Sequence, residues 1–506
     1  MAVCPMQMRV MAPLPRLYPW LIFPFLCVWG HATQHLGGVN VHFLSYASAL
    51  GGNMTMLGKS FGISRTDLRW YDVEMVKGEY NFSQADAHVE QHEQAGVKVW
   101  FILNGHNDLY TKRGYSPVGK EQVDAFVAFA IAAMQRYQNR VKVWELWNEP
   151  NLLGWVPLPN PQHYIELALA LGKAKSVLAP NSFLVGPGSF GVAKDFASKL
   201  INGGILDVFD GWSFHPYRWG GPESVVHDFS VLSSLLTTGG RQIPIISGEW
   251  GYSTCHEKNN PNKPVLCILG AMPDIISRPL QGRYLARQWL INTMLRSPIS
   301  IWYDWMDDST KPLEGESNFG VVTADGKPKP AYVAAMVLQH YIFSPNQAQN
   351  FSGRLNASLT GSNKTNEALY ALCFGTSSSD GTREKPTCSV IAVWASRTIA
   401  NEKDGQDICI VATSNEKRQD CGYWGIERKV CEARGCCFAA ETSSGPQCFR
   451  PNTTVSIHLP FLRDTMTYER VYLDSGKGNS TIASRDGVLN VTDITDEPVL
   501  LKLIIR

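Results

Sequence analysis

No run of basic residues, no phosphate-cradling glycine loop and no dinucleotide fingerprint occurs in this chain of 506 residues. With 46 Lys and Arg against 45 Asp and Glu, the net charge is +1, so the charge balance calls for neither nucleic acid nor an acidic membrane surface. Beyond the first thirty-odd residues, no hydrophobic stretch is long enough to span a bilayer. Metal-ligand spacing is missing too: His256, beside Cys255, lacks partners at the intervals a zinc site needs. Nor is there a nucleophile elbow with a Ser-His-Asp constellation. The chemistry expected of such a chain uses its own side chains, with no cofactor and no metal.

What is present begins with a different texture at the N-terminus. Arg9 and Arg16 precede the apolar run Leu17 to Trp29, and the small residues Gly30, Ala32 and Thr33 follow, which reads as a secretory signal over residues 1–33. Cysteine usage agrees with export. Of 12 cysteines, Cys4 and Cys27 would leave with the signal, and the remaining ten are an even number. Eight N-x-S/T triplets, at Asn53, Asn81, Asn350, Asn356, Asn363, Asn452, Asn479 and Asn490, point to a glycosylated surface outside the cytosol.

From Gly37 to about Tyr341, short apolar strands alternate with amphipathic segments, the pattern of parallel βαβ units. Eight strands are expected, at 38–43, 63–68, 97–103, 141–146, 183–187, 211–215, 244–249 and 300–305. Eight such units over some three hundred residues fit a (β/α)8 barrel, whose active site lies at the C-terminal strand ends. The fourth strand runs into WELWNEPN, Trp144 to Asn151, where Pro150 disfavours helix at Glu149 and marks the strand end. Tryptophans near this carboxyl would desolvate it and keep it protonated as a general acid. A hundred residues on, IPIISGEWGYS ends a second apolar strand in Glu249. Two strand-end glutamates are the minimum for two-carboxylate sugar chemistry.

The pair WNEP and SGEWG resembles the acid/base and nucleophile strands of clan A glycoside hydrolases, retaining enzymes on a (β/α)8 barrel, of the family 39 and family 5 type. The resemblance implies that Glu149 is the acid/base and Glu249 the nucleophile. It also implies that Asn148 holds the sugar 2-hydroxyl, and that Arg65 hydrogen-bonds the nucleophile, with Arg69 as competitor. His215 and Tyr217, in FHPYR, fall at the strand-six lip, where related enzymes place an aromatic hydroxyl near the nucleophile. In WYDWMDD, Trp305 is the expected platform for a sugar ring and Trp302 a core residue. His42, Asn104, Trp155, Trp219, Asp307 and Asp308 are further candidate contacts. Cys255 and Cys267 have the spacing of a disulfide that limits the loop after Glu249.

After about residue 342, alternating segments such as ALYALCF, CSVIAVWAS and VLLKLII read as an antiparallel β-sandwich over residues 342–405 and 453–506, with Cys373 and Cys388 able to pair across a hairpin. Residues 406–452 interrupt it with six cysteines, whose spacing alone allows fifteen connectivities. KRQDCGYWGIERKVCEARGCCF followed by PQCFRPN resembles a trefoil, or P-type, domain. That resemblance implies the pairs Cys409–Cys437, Cys421–Cys436 and Cys431–Cys448, and a module able to bind glycans or mucin-like glycoproteins, with Tyr423 and Trp424 as candidate aromatics. The expected whole is a secreted retaining β-glycosidase with a carbohydrate substrate. The alternatives are a transglycosylase on the same site, or an inactive glycan-binding protein working through the trefoil.

Overall fold

The computed structural model describes residues 35–42, 54–258, 260–264, 276–343, 350–359, 369–375, 388–396, 419–420, 428, 431, 437–438, 448–450, 453–459, 466–476, 478–484, 488–494 and 497–504. The signal segment, Cys267, Cys409, Cys421, Cys436, Tyr423 and Trp424 lie outside them.

Eight parallel strands close into a barrel: β1 (Leu36–Asn40), β2 (Ile63–Arg69), β3 (Lys98–Asn104), β4 (Val141–Leu146), β5 (Leu184–Phe190), β6 (Gly211–His215), β7 (Ile245–Trp250) and β8 (Ile299–Trp302). All eight overlap expected strands, although β8 stops at Trp302, short of the expected 300–305, and the closure comes from β8 pairing with β1. Strands covered on both faces need apolar residues in both phases of their two-residue period. One phase, Ile63, Trp100, Val143, Val185, Ile246, Ile299 and Ile301, fills the barrel interior. The other, including Phe101, Leu103, Trp144 and Leu146, packs beneath the helices. One step further along the inward phase, Ile63 is followed by Arg65 and Val143 by Glu145, both 0% exposed. The interior therefore changes from apolar to charged just below the strand ends.

The described remainder contains a six-stranded antiparallel sheet, in the order Asn350–Arg354, Leu369–Gly375, Val390–Ala395, Val499–Leu503, Thr467–Tyr472, Gly478–Ala483. Opposite it is a three-stranded sheet of Asn356–Leu359, Thr453–His458 and Val488–Ile494. Leu369, Ala371 and Cys373 face the core between the two sheets, whereas Tyr370, Leu372 and Phe374 join the core that the barrel helices build. Burial on both faces explains why ALYALCF lacks polar alternation. Cys373 and Cys388 form a disulfide within this core, and Cys431 pairs with Cys448 beside a small sheet of Gln419–Asp420, Cys448–Arg450 and Cys437–Phe438.

A buried ion pair joins sandwich to barrel. Arg287, 0% exposed, donates from Nε and Nη2 to the two oxygens of Glu223 at 2.7 and 2.5 Å, and from Nη2 to the Ser396 carbonyl at 3.0 Å. Trp394 Nε1 donates to the same Glu223 at 2.8 Å. Glu223 sits in the loop that follows β6, and Gly221 in that loop has no room for a Cβ, which would lie 2.8 Å from Arg287. Trp394→Phe keeps the ring stacked on Tyr370 but deletes the donor to a charged group. The expected cost is about 1.5–3 kcal/mol, read from a denaturant titration.

Candidate active site

The chain leaves β4 through two left-handed residues, Trp147 at φ 69° and Glu149 at φ 47°. Right-handed helix is avoided at Glu149, as expected ahead of Pro150, through a left-handed backbone rather than an extended one. Each such residue costs roughly 1–3 kcal/mol and persists only when its surroundings fix it. Here Trp147 Nε1 donates to the Gly154 carbonyl at 2.8 Å, Glu149 N to the Gly188 carbonyl at 2.9 Å, and Leu152 N to the Glu149 carbonyl at 3.0 Å. The turn lifts Glu149 over the barrel mouth.

Arg65 is the hub beneath it. Its Nε donates to Glu145 Oε2 at 2.7 Å, Nη1 to Glu249 Oε2 at 2.6 Å and to Asn40 Oδ1 at 3.1 Å, and Nη2 to Asn148 Oδ1 at 2.8 Å. Nη2 also lies 3.2 Å from His215 Nε2. Burial would strip the guanidinium of its proton, but the charges of Glu145 and Glu249 outweigh it and push Arg65 further up. Because a guanidinium only donates, His215 Nε2 must accept, and the ring proton resides on Nδ1. That nitrogen lies 2.9 Å from Glu149 Oε1, so His215 donates to the carboxyl. Burial pushes His215 down to about 4, so the ring is neutral. Burial also pushes the Glu149 carboxyl up to about 7, against the opposing charge of Arg65.

Glu249, at the end of β7, accepts from Tyr217 Oη at 2.9 Å on its other oxygen. Oxygens of Glu149 and Glu249 and a nitrogen of His215 all lie within 4.8 Å of one another. The fixed positive charge of Arg65 among these groups disfavours a metal cation there. Glu149, Glu249, Asn148, Arg65, His215 and Tyr217 are therefore brought together. Arg69 is not part of the cluster; it pairs with Asp67 at 3.4 Å and lines a polar cavity of about 290 Å³ with Tyr71, Asn104, His106 and Asn148.

Trp305 is a correction. β8 ends at Trp302, and the following backbone turns so that Trp305 N bonds the Asn40 carbonyl. Its ring goes into the core against Phe61 and Tyr332, 1% exposed, and cannot carry a sugar. Part-exposed Tyr303 stands at the mouth instead, edge-on to Tyr217, Phe319 and His42. Trp155 is likewise buried, against Trp147 and Tyr164. Asp307 is engaged by buried Lys329 at 2.6 Å, and Trp302 is core as expected. His42 bonds Asp304 at 3.2 Å, and this carboxylate outweighs the opposing effect of burial and pushes the imidazole up to about 9. Cys255 is disulfide-bonded.

Sequence reasoning missed Glu145. It accepts from both Arg65 and Ser213, the latter at 2.5 Å, and a Cβ at Gly188, φ +61°, would lie 2.7 Å from it. The signal was a lone carboxylate two residues after Val143 in the inward phase of β4.

Residues 409–451 match the Trefoil (P-type) domain model. The surrounding segment is 34% identical over 65 residues to trefoil factor 3 of Felis catus, spanning 12% of this chain and 79% of that protein. To trefoil factor 3 of Homo sapiens it is 37% identical over 62 residues, 12% and 76% of the two chains. The chain belongs to the trefoil (P-type) family. Around the trefoil, most of the chain has a fold seen in glycoside hydrolases. A family 39 glycoside hydrolase from the gut symbiont Bacteroides cellulosilyticus superposes with a TM-score of 0.61 at 20% identity, over 92% of this chain and 80% of that one. A monomeric beta-xylosidase from Caulobacter crescentus gives 0.54 at 14% identity, over 92% and 95%. A family 30 endoxylanase from Clostridium papyrosolvens gives 0.56 at 11%, over 93% and 97%. Trefoil domains and disulfides are typical of extracellular proteins. Among the described residues, no helix is long and apolar enough to cross a membrane.

Proposed function

We propose that this trefoil-bearing chain is a secreted retaining β-glycosidase acting on a β-linked glycoside. The observation that carries the reading is the pair of glutamates, whose oxygens approach within 4.8 Å. Retaining enzymes hold their carboxyls about 5–5.5 Å apart, and inverting ones about 6.5–9.5 Å to admit a water. Glu149 protonates the glycosidic oxygen while a Glu249 oxygen attacks the anomeric carbon, giving a glycosyl-enzyme and a free alcohol. Glu149, now a base, takes a proton from water as that water displaces Glu249 and releases the sugar. Asn148 is anchored by Arg65 for contact with the sugar, and neutral His215 donates to Glu149 through both protonation states.

The test is hydrolysis of β-glucosides, xylosides, galactosides and mannosides by the full chain, with product analysis at high acceptor concentration to separate water from sugar as second nucleophile. Turnover of none of them overturns the reading. Activity on an alkyl glycoside, which needs acid assistance, is expected to fall as the pH rises through about 7, where Glu149 loses its proton. An aryl glycoside with a strongly acidic phenol needs no such assistance, so its glycosylation rate should lack that alkaline limb. The same limb on both substrates would remove Glu149 from the acid role.

A further inference from the structure

Among the described residues, twelve large hydrophobic side chains are exposed, and four of them lie on the helices Pro161–Leu178 and Val225–Thr238. The other eight all sit on the face that carries the glutamates, in the segments following β2, β3, β4 and β6 or at the end of β5. Apolar side chains scattered singly over a surface need no explanation, but this concentration around a catalytic mouth does. Its centre is continuous with Glu149. Leu152 and Leu153, 39% and 78% exposed, follow the acid by three and four residues. Asn151 ties their turn to Phe190, donating to its carbonyl and accepting from its N–H, both at 2.9 Å. Phe190, 37% exposed, stacks on Tyr217 at 5.9 Å, and Trp219, 65% exposed, lies two residues beyond.

The two sides of the mouth differ in chemistry. Arg69, Asn104, His106 and Asn148 line the polar cavity on the β2 to β4 side and suit sugar hydroxyls. On the β4 to β6 side one N–H and one lone pair of the Asn151 amide already bind Phe190. Leu152, Leu153 and Phe190 there offer a second sugar no side-chain hydrogen bonds, and Trp219 offers a single indole N–H. A general acid stands on the side from which the leaving group departs, and Leu152, whose N–H donates to the Glu149 carbonyl at 3.0 Å, shares the turn of that acid, so the apolar side borders the aglycone.

We infer that the scissile bond links the sugar to an apolar alkyl alcohol rather than to another sugar. The inference rests on the hydrolase reading and names its substrate class: water and the alkyl glycoside give the free sugar and the alcohol. The probes are the n-octyl and methyl β-glycosides of one glycone and a β-linked disaccharide with the same non-reducing sugar. With each methylene moved from water worth about fourfold, partial cover of the chain should give the octyl compound at least about a tenfold higher kcat/KM than the methyl one. In Leu153→Ser/Trp219→Ser that ratio should fall at least about fivefold, and being a ratio it cancels any general loss of folded enzyme. Cleavage of the octyl compound as dissolved monomer, or of a hexadecyl glycoside in phosphatidylcholine vesicles, in preference to the methyl compound and the disaccharide supports the inference either way; the faster of the two tells a soluble glycoside from a bilayer lipid. A disaccharide preferred over the octyl glycoside, or a ratio unmoved by the double variant, overturns it while leaving the hydrolase standing. No turnover of any glycoside overturns both.

Discussion

Arg65→Met is expected to cost about 3–5 kcal/mol of folding stability and to abolish measurable turnover. The guanidinium is 0% exposed and satisfies Glu145 and Glu249 together, so its loss leaves carboxylates at the bottom of the site without their counter-charge. Removing one partner of a buried pair is costly, whereas removing both is close to neutral. Arg65→Met/Glu145→Met should accordingly recover most of the stability in a denaturant titration. Activity should stay lost, because Glu249 and Asn148 still lack their donor. Arg65→Lys supplies a point charge without the planar fork and should regain stability better than rate. Equal recovery of both in the double methionine variant would mean that Arg65 is a folding residue only.

Glu249→Gln is expected to lower kcat by roughly 10⁴-fold or more, with little change in stability. The amide is isosteric and can still accept from Arg65 and donate to the Tyr217 oxygen, so the network around it survives. What it loses is the nucleophile. Stopped-flow measurements with an activated aryl glycoside would then show no burst of released phenol. A fall of less than tenfold would place the nucleophile elsewhere.

Much of this arrangement could be read from the chain because barrel strands carry long apolar runs with few exceptions, and exceptions at their ends are conspicuous. Glu149, Glu249, His215 and Tyr217 stand at such ends, and Arg65 breaks the inward phase of β2. This legibility ended where strand geometry stopped. Alternation places Trp302 in the core correctly, but Trp305, expected as a sugar platform at the end of the same strand, lies beyond β8, which ends at Trp302; the chain folds back on β1 there, taking Trp305 into the core and leaving Tyr303 at the mouth. Glu145 was passed over because its role depends on Arg65 and Ser213, residues 80 and 68 positions away that only barrel closure brings together. The apolar rim was illegible for a related reason. Leu153 and Trp219 belong to two separate loops and Phe190 to the end of β5, so no single periodicity joins them.

The most direct test of the two-glutamate account is rescue of Glu149→Ala by azide on a 2,4-dinitrophenyl β-glycoside of the preferred sugar. Such a phenol leaves without acid assistance, so Glu249 should still form the glycosyl-enzyme, which then waits for a base that is gone. Azide needs no base, and the account predicts that it restores turnover and yields the β-glycosyl azide. An α-glycosyl azide, or no rescue with the protein folded, would contradict it.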